Sequence, residues 1–406
     1  MKTTLIVTTL IFALGTLVAC GGSSDSGNGT PTPSSSPTAT ATPTATPTST
    51  PTNTPTPTPV PTRSFYMGFT PWPYDATLDA VNFTYDRIQD HGDMVKHHLM
   101  QGVPWDSAFN GTAYPTAVEN EINGRITATN NDKIIFLAID TLNTSRNALV
   151  GNWGESGGED RQAPWDTRDF NDAEVITAYT NFALNMIERF QPEYFSYGTE
   201  VSELILNNPT SFDNFVVFAE AVYGSIKAEY PDLKLMATVA MKSPESEDTT
   251  TIQNNFSRIL DYVDVVGISA YPYAFYAPGD RETPSDLPSN WIDQILNIAN
   301  GKPVAITETG WVGENLTIEN YGLTVQSDEQ TQNDYVVELL EEANTLNAEF
   351  VIWFSVCDFD AMWNNVLGQD DLSAIWKDTG LYNESLQARE ALTTWDGYLL
   401  RIRSTQ

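Results

Sequence analysis

Pro303-Val-Ala-Ile-Thr-Glu-Thr-Gly-Trp311 opens with an apolar run rich in β-branched residues. That is the composition of a strand covered on both faces. The run stops at Glu308, and Thr309-Gly310 breaks the pattern. A carboxylate where a buried strand meets a loop is poorly solvated by its own surroundings. It persists there only if something pairs it or uses it. Seven more runs of this kind precede or follow, at 65–70, 93–99, 133–139, 194–199, 234–240, 265–270 and 349–356. Amphipathic segments separate them. Residues 171–190 set Val175, Tyr179, Phe182, Met186 and Phe190 near helical spacing, and 212–230 do the same with Phe215, Ala219, Val222 and Ile226. Ser327-Asp-Glu-Gln330 reads as a capping box opening a helix to about residue 346. Eight strand–helix alternations over 64–406 predict an α/β fold, a (β/α)8 TIM barrel. An open doubly wound sheet is the runner-up, and no Gly-rich phosphate loop supports it.

The barrel does not begin the chain. Residues 1–19 read as a signal peptide, with Lys2 at the positive end and a mostly apolar stretch over 5–18. The stretch is short for a membrane span. Leu17-Val18-Ala19-Cys20 resembles the bacterial lipobox, whose cysteine is lipidated and becomes the new N-terminus. Gly21 after that cysteine implies, by the same resemblance, sorting to the outer membrane, on its outer or periplasmic face. Triple acylation would anchor the chain stably. Residues 20–63 are Gly/Ser-rich and then Pro/Thr-rich, with almost no large apolar side chains. Such a segment cannot bury a core and favours extended polyproline II, so it is expected to be a disordered, semi-rigid stalk.

With 53 acidic and 20 basic residues the formal charge is −33. Nucleic acid and anionic surfaces need basic patches, so neither is expected as a partner. Cys357 has no disulfide partner once Cys20 is lipidated. The three histidines, His91, His97 and His98, show no metal-ligand spacing, so no metal and no cofactor is expected. A monomer is expected.

In a barrel, chemistry is carried at the C-terminal ends of the strands. Those ends hold Trp72, the pair His97 and His98, Trp105, Thr199, Glu200, Tyr271, Glu308, Trp311 and Trp353. A mouth lined with Trp and Tyr suits sugar rings, whose C–H faces stack on aromatic planes. Many aromatics on several loops suggest several sugar subsites, hence cleavage within a chain. Glu200 ends the fourth run and Glu308 the seventh, on opposite sides of an eight-stranded barrel. Glycoside hydrolysis needs two carboxyl groups facing one another across the scissile bond.

Tyr197-Gly198-Thr199-Glu200 and Thr307-Glu308-Thr309-Gly310-Trp311 resemble clan A of the glycoside hydrolases, retaining (β/α)8 enzymes. The second segment is similar to the nucleophile strand of the endo-β-galactanase and β-1,3-glucanase branches. The resemblance implies Glu308 as nucleophile and Glu200 as acid/base; Glu203, three residues further on, is the competing acid/base by its position. It implies that Tyr271 hydrogen-bonds the nucleophile and that Trp353 lies under the sugar at the cleavage point. Thr199 stands where the clan has Asn, and the strand-2 arginine is missing, with Lys96, His97 or His98 to replace it. Alternation lets only one of the two histidines face inward. The expected function is a lipid-anchored, retaining, endo-acting hydrolase of neutral β-linked polysaccharide. A non-catalytic glycan-binding lipoprotein on the same scaffold is the alternative.

Overall fold

The computed structural model describes residues 61–404. The signal peptide, Cys20 and the Pro/Thr-rich segment up to residue 60 lie outside the described residues.

All eight runs are strands: β1 (Tyr66–Phe69), β2 (Met94–Leu99), β3 (Ile134–Ile139), β4 (Tyr194–Gly198), β5 (Lys234–Ala240), β6 (Val265–Ala270), β7 (Val304–Thr309) and β8 (Phe350–Trp353). Each pairs in parallel with the next, and β8 pairs with β1, so the sheet closes into a barrel. Helices α1 (Leu78–His91), α2 (Thr116–Ala128), α3 (Ala173–Phe190), α4 (Pro209–Glu229), α5 (Glu247–Phe256), α6 (Ile295–Ala299), α7 (Glu329–Thr345) and α8 (Glu390–Leu399) follow the strands in turn. The apolar stripes of the sequence face the barrel, with Val175, Tyr179, Phe182, Met186 and Phe190 of α3 all buried. So are Phe215, Ala219, Val222 and Ile226 of α4. Burying each Val, Ile, Met or Phe among them is worth about 1.5–3 kcal/mol. The α7 cap sits one residue later than the capping-box reading. Asp328 accepts from the Thr331 N–H, while Ser327 Oγ donates to the Val312 carbonyl instead.

The N-terminal face is clamped by a short parallel pair, Thr62–Arg63 with Ile402–Arg403. Arg63 forks onto Asp93 at 2.7 and 3.2 Å. Packing therefore begins at Thr62, two residues before the composition break at 64.

Inside the barrel, Met94, Phe136, Ala138, Tyr194, Met236, Val265, Ala305, Phe350 and Ile352 form a separate apolar cluster. Further along the strands the inward positions turn polar: Lys96, His98, Ser196, Thr238, Ser269 and Thr307 line one small pocket. A Cβ at Gly267 would lie 2.6 Å from Thr238 Cγ2 and 2.8 Å from Thr307 Cγ2, so glycine there lets the polar layer close up.

Two strands break register at this level. On β4, Ser196 pairs with Met236 but Gly198 with Ala237. On β7, Ile306 pairs with Ile268 but Glu308 with Ser269. Strict alternation would send Glu308 outward, since Ala305 and Thr307 already face in. The extra residue re-aims it toward the axis.

Candidate active site

Glu308 is held by two donors. Lys96 Nζ lies 2.6 Å from Oε2, and Tyr271 donates its hydroxyl to Oε1 at 2.8 Å. Burial alone would raise the carboxyl's pKa. The charges of Lys96 and then His98, with the hydrogen bonds from Lys96 and Tyr271, outweigh burial and hold it below its ordinary value. Burial, and next Glu308 itself, push the Tyr271 hydroxyl far up, so it stays a donor.

Glu200 sits just past β4, in the left-handed region at φ 54°, ψ 44°. For a non-glycine residue this conformation costs of order 1–3 kcal/mol and persists where the surroundings fix it. Its N–H donates to Thr238 Oγ1 at 2.7 Å. Its Oε1 accepts from Ser269 Oγ at 2.7 Å, and its Oε2 from Arg146 Nε at 3.1 Å. Arg146 Nη1 donates to Asp140 Oδ2 at 2.9 Å, and His98 Nε2 bonds Asp140 Oδ1 at 2.7 Å. Burial would raise Asp140, but Arg146 and His98 hold its carboxyl far below the usual range.

Both glutamates line the same two cavities, the small polar one and a cleft of about 230 Å³. Trp72, Phe354, Phe359, Met362 and Trp376 give the cleft an apolar wall. Of the other residues singled out by sequence, Trp72 lines the cleft, His98 lines both cavities, and Thr199 lines the polar one, its hydroxyl having no partner among the described residues.

Three of the tryptophans singled out by sequence do not reach the cavities. Trp105 is fully buried, stacked on Trp165 at 5.6 Å, and donates to the Gly151 carbonyl at 2.9 Å. Trp311 is fully buried against Tyr273 and Tyr335. Trp353, also fully buried, packs on Tyr335 and Trp395 and donates to the Thr379 carbonyl. The reason at β8 is parity. Phe350 and Ile352 face the axis, so Trp353 faces the helices and Phe354 turns into the cleft. His97 likewise faces outward, bonded to Thr129 and packed on Phe190. Lys96 and His98 face inward on β2, above Met94. Glu203 pairs with Lys242 at 2.7 Å and lines neither cavity.

Sequence reasoning missed Arg146, Asp140, Ser269, Phe354 and Phe359. Asp140 directly follows an apolar run, the same signal that exposed Glu308. Ser269 is two residues from Tyr271, hence on the same face. Arg146 comes from a long loop and had no signal. The acids Asp358, Asp360 and Asp378 also converge, but Arg389 bonds the first and Lys377 the other two, so this group is already charge-paired.

No protein-family model matches the chain, and no curated protein matches it. Solved structures share the fold. An exo-β-1,4-mannosidase from Opitutaceae bacterium strain TAV5 superposes with TM-score 0.58 at 14% identity, over 83% of this chain and 59% of that one. The GH53 catalytic domain of Ignisphaera aggregans gives 0.51 at 15% identity, over 77% and 87%. A β-glucuronidase from an uncultured Clostridium gives 0.50 at 14% identity, over 82% and 50%. The chain thus spans little more than half of the mannosidase and half of the glucuronidase. At these identities the likeness establishes the fold: a (β/α)8 barrel of the kind these glycoside hydrolases carry.

Proposed function

We propose that the protein is a retaining glycoside hydrolase that cleaves neutral β-linked polysaccharide within the chain. The observation that carries this reading is the convergence of Glu200 and Glu308, from opposite sides of one barrel, on a shared cleft with an aromatic wall. Glu308, ionised and fixed by Lys96 and Tyr271, attacks the anomeric carbon as Glu200 protonates the leaving oxygen. Glu200 then takes a proton from the water that releases the glycosyl-enzyme. Lys96 supplies the cation that the resemblance places on strand 2 as arginine. Thr199, with its hydroxyl free, is suited to one hydrogen bond to the sugar. The fold shared with glycosidases agrees with this reading and does not choose the sugar.

The proposal extends to a monomer tethered through a lipid on Cys20 to the outer membrane. Incorporation of labelled palmitate, lost in Cys20→Ala, tests the tether, and light scattering tests the monomer.

The deciding experiment is a screen on β-glucans, galactans, mannans and xylans, with product sizes, using wild type, Glu200→Gln and Glu308→Gln. Early oligosaccharide products from wild type alone are expected. Near-wild-type rates in either variant would remove the assignment. Tight binding without products would favour the glycan-binding alternative, and monosaccharide as the first product would replace internal with chain-end cleavage.

A further inference from the structure

The two partners of the Glu200 carboxyl group differ in a way that decides where a proton can sit. Arg146 meets Oε2 through an N–H. A guanidinium has five donors and no acceptor, so Oε2 must remain a hydrogen-bond acceptor whatever the charge on Glu200. Ser269 meets Oε1 through a hydroxyl, which can donate or accept. When Glu200 is anionic the Ser269 O–H points at Oε1. When Glu200 is protonated the hydroxyl turns and accepts from it. Arg146 is not free to leave, since Asp140 holds its Nη1 at 2.9 Å and His98 holds Asp140 in turn. Arg146 and Asp140 are both largely buried, so this arm is rigid.

Resting on the reading of Glu200 as acid/base, we infer that Ser269 and Arg146 are positioning residues that confine the exchangeable proton to Oε1 of Glu200. In the first step the Oε1–H bond breaks and its proton goes to the glycosidic oxygen. The C1–O bond breaks as C1 bonds to Glu308, and Ser269 rotates from acceptor to donor. In the second step water gives its proton to Oε1 and its oxygen to C1, the C1–Glu308 bond breaks, and Ser269 rotates back.

The test compares kcat/KM on an oligosaccharide, whose leaving group needs protonation, with that on a dinitrophenyl glycoside of the same sugar, whose leaving group does not. Ser269→Ala is expected to lose about 10-fold or more on the oligosaccharide, as for a hydrogen bond worth about 1.4 kcal/mol, and to stay near wild type on the dinitrophenyl glycoside. Arg146→Gln, whose amide can accept as well as donate and so frees Oε2 to carry the proton, is expected to lose several-fold on the oligosaccharide and to stay near wild type on the dinitrophenyl glycoside. Equal losses on both substrates in either variant would overturn the inference. Glu200→Gln run in parallel separates the two levels. If it discriminates between leaving groups while the positioning variants do not, only this inference fails. If it does not discriminate, the acid/base reading falls first.

Discussion

Glu308 and Glu200 share a cleft but not an environment. Both Glu308 oxygens meet groups that stay donors: the Lys96 ammonium, and a Tyr271 hydroxyl held in its protonated form. One Glu200 oxygen meets Ser269, a group that can reverse its role. The first arrangement fixes a charge and the second permits a proton to come and go. Two carboxylates of one type are thereby suited to nucleophile and acid/base by their neighbours alone.

The sharpest way to break this contrast is to remove each carboxylate. Glu308→Gln is expected to lose roughly 10⁴–10⁶-fold in kcat on every substrate, because no nucleophile replaces it. Glu200→Gln is expected to lose about 10²–10⁴-fold on oligosaccharides and far less in the first step on a dinitrophenyl glycoside. Burst kinetics on both substrates would show it, and identical patterns in the two variants would erase the distinction.

Lys96→Met addresses the fixed charge. Removing one partner of a buried pair costs roughly 3–5 kcal/mol when the other stays charged, so thermal stability near neutral pH should fall. The Glu308 carboxyl is held below its ordinary value in the fold. Its contribution to stability is therefore present above roughly pH 4.3 and lost as pH falls through the folded value. For the same reason the acidic limb of wild-type kcat/KM is expected below roughly pH 4.3. In Lys96→Met that limb should move upward, and an unmoved limb would show that Lys96 does not set the charge. Tyr271→Phe removes a hydrogen bond to a charged group, worth about 1.5–3 kcal/mol, and should lower kcat roughly 10–100-fold while lowering the melting temperature less than Lys96→Met does.

The smallest expected effects separate wall from packing. Phe354→Ala should raise KM several-fold, since its ring lines the cleft. Trp353→Phe should leave KM unchanged and lower the melting temperature, since that indole faces the helix layer and loses its bond to the Thr379 carbonyl. Reversed outcomes at 353 and 354 would mean that the parity of β8 is read wrongly.

That pair also shows how far the sequence could be read. Strand identity depends on apolar runs, and all eight runs are strands. The position of Glu308 at a strand end was equally plain. The direction of a side chain depends on parity and on bulges, which a run of residues does not reveal. The resemblance puts Trp353 under the sugar, whereas parity turns it toward Trp395, and the bulge that turns Glu308 inward leaves no mark in the run. Trp105 and Trp311 went astray for a related reason, because loop aromatics that pin a barrel have the same composition as those that line its mouth. Arg146 reaches Glu200 from a loop whose path is set by tertiary contacts, so no local pattern announced it.

The covalent intermediate is where all of this meets. Incubation with the 2-deoxy-2-fluoro glycosyl fluoride of the sugar the enzyme hydrolyses, followed by peptide mass mapping, should find one fluoroglycosyl group on the peptide containing Glu308. An enzyme that turns over its glycan yet is never labelled, or is labelled at another residue, would contradict the assignment.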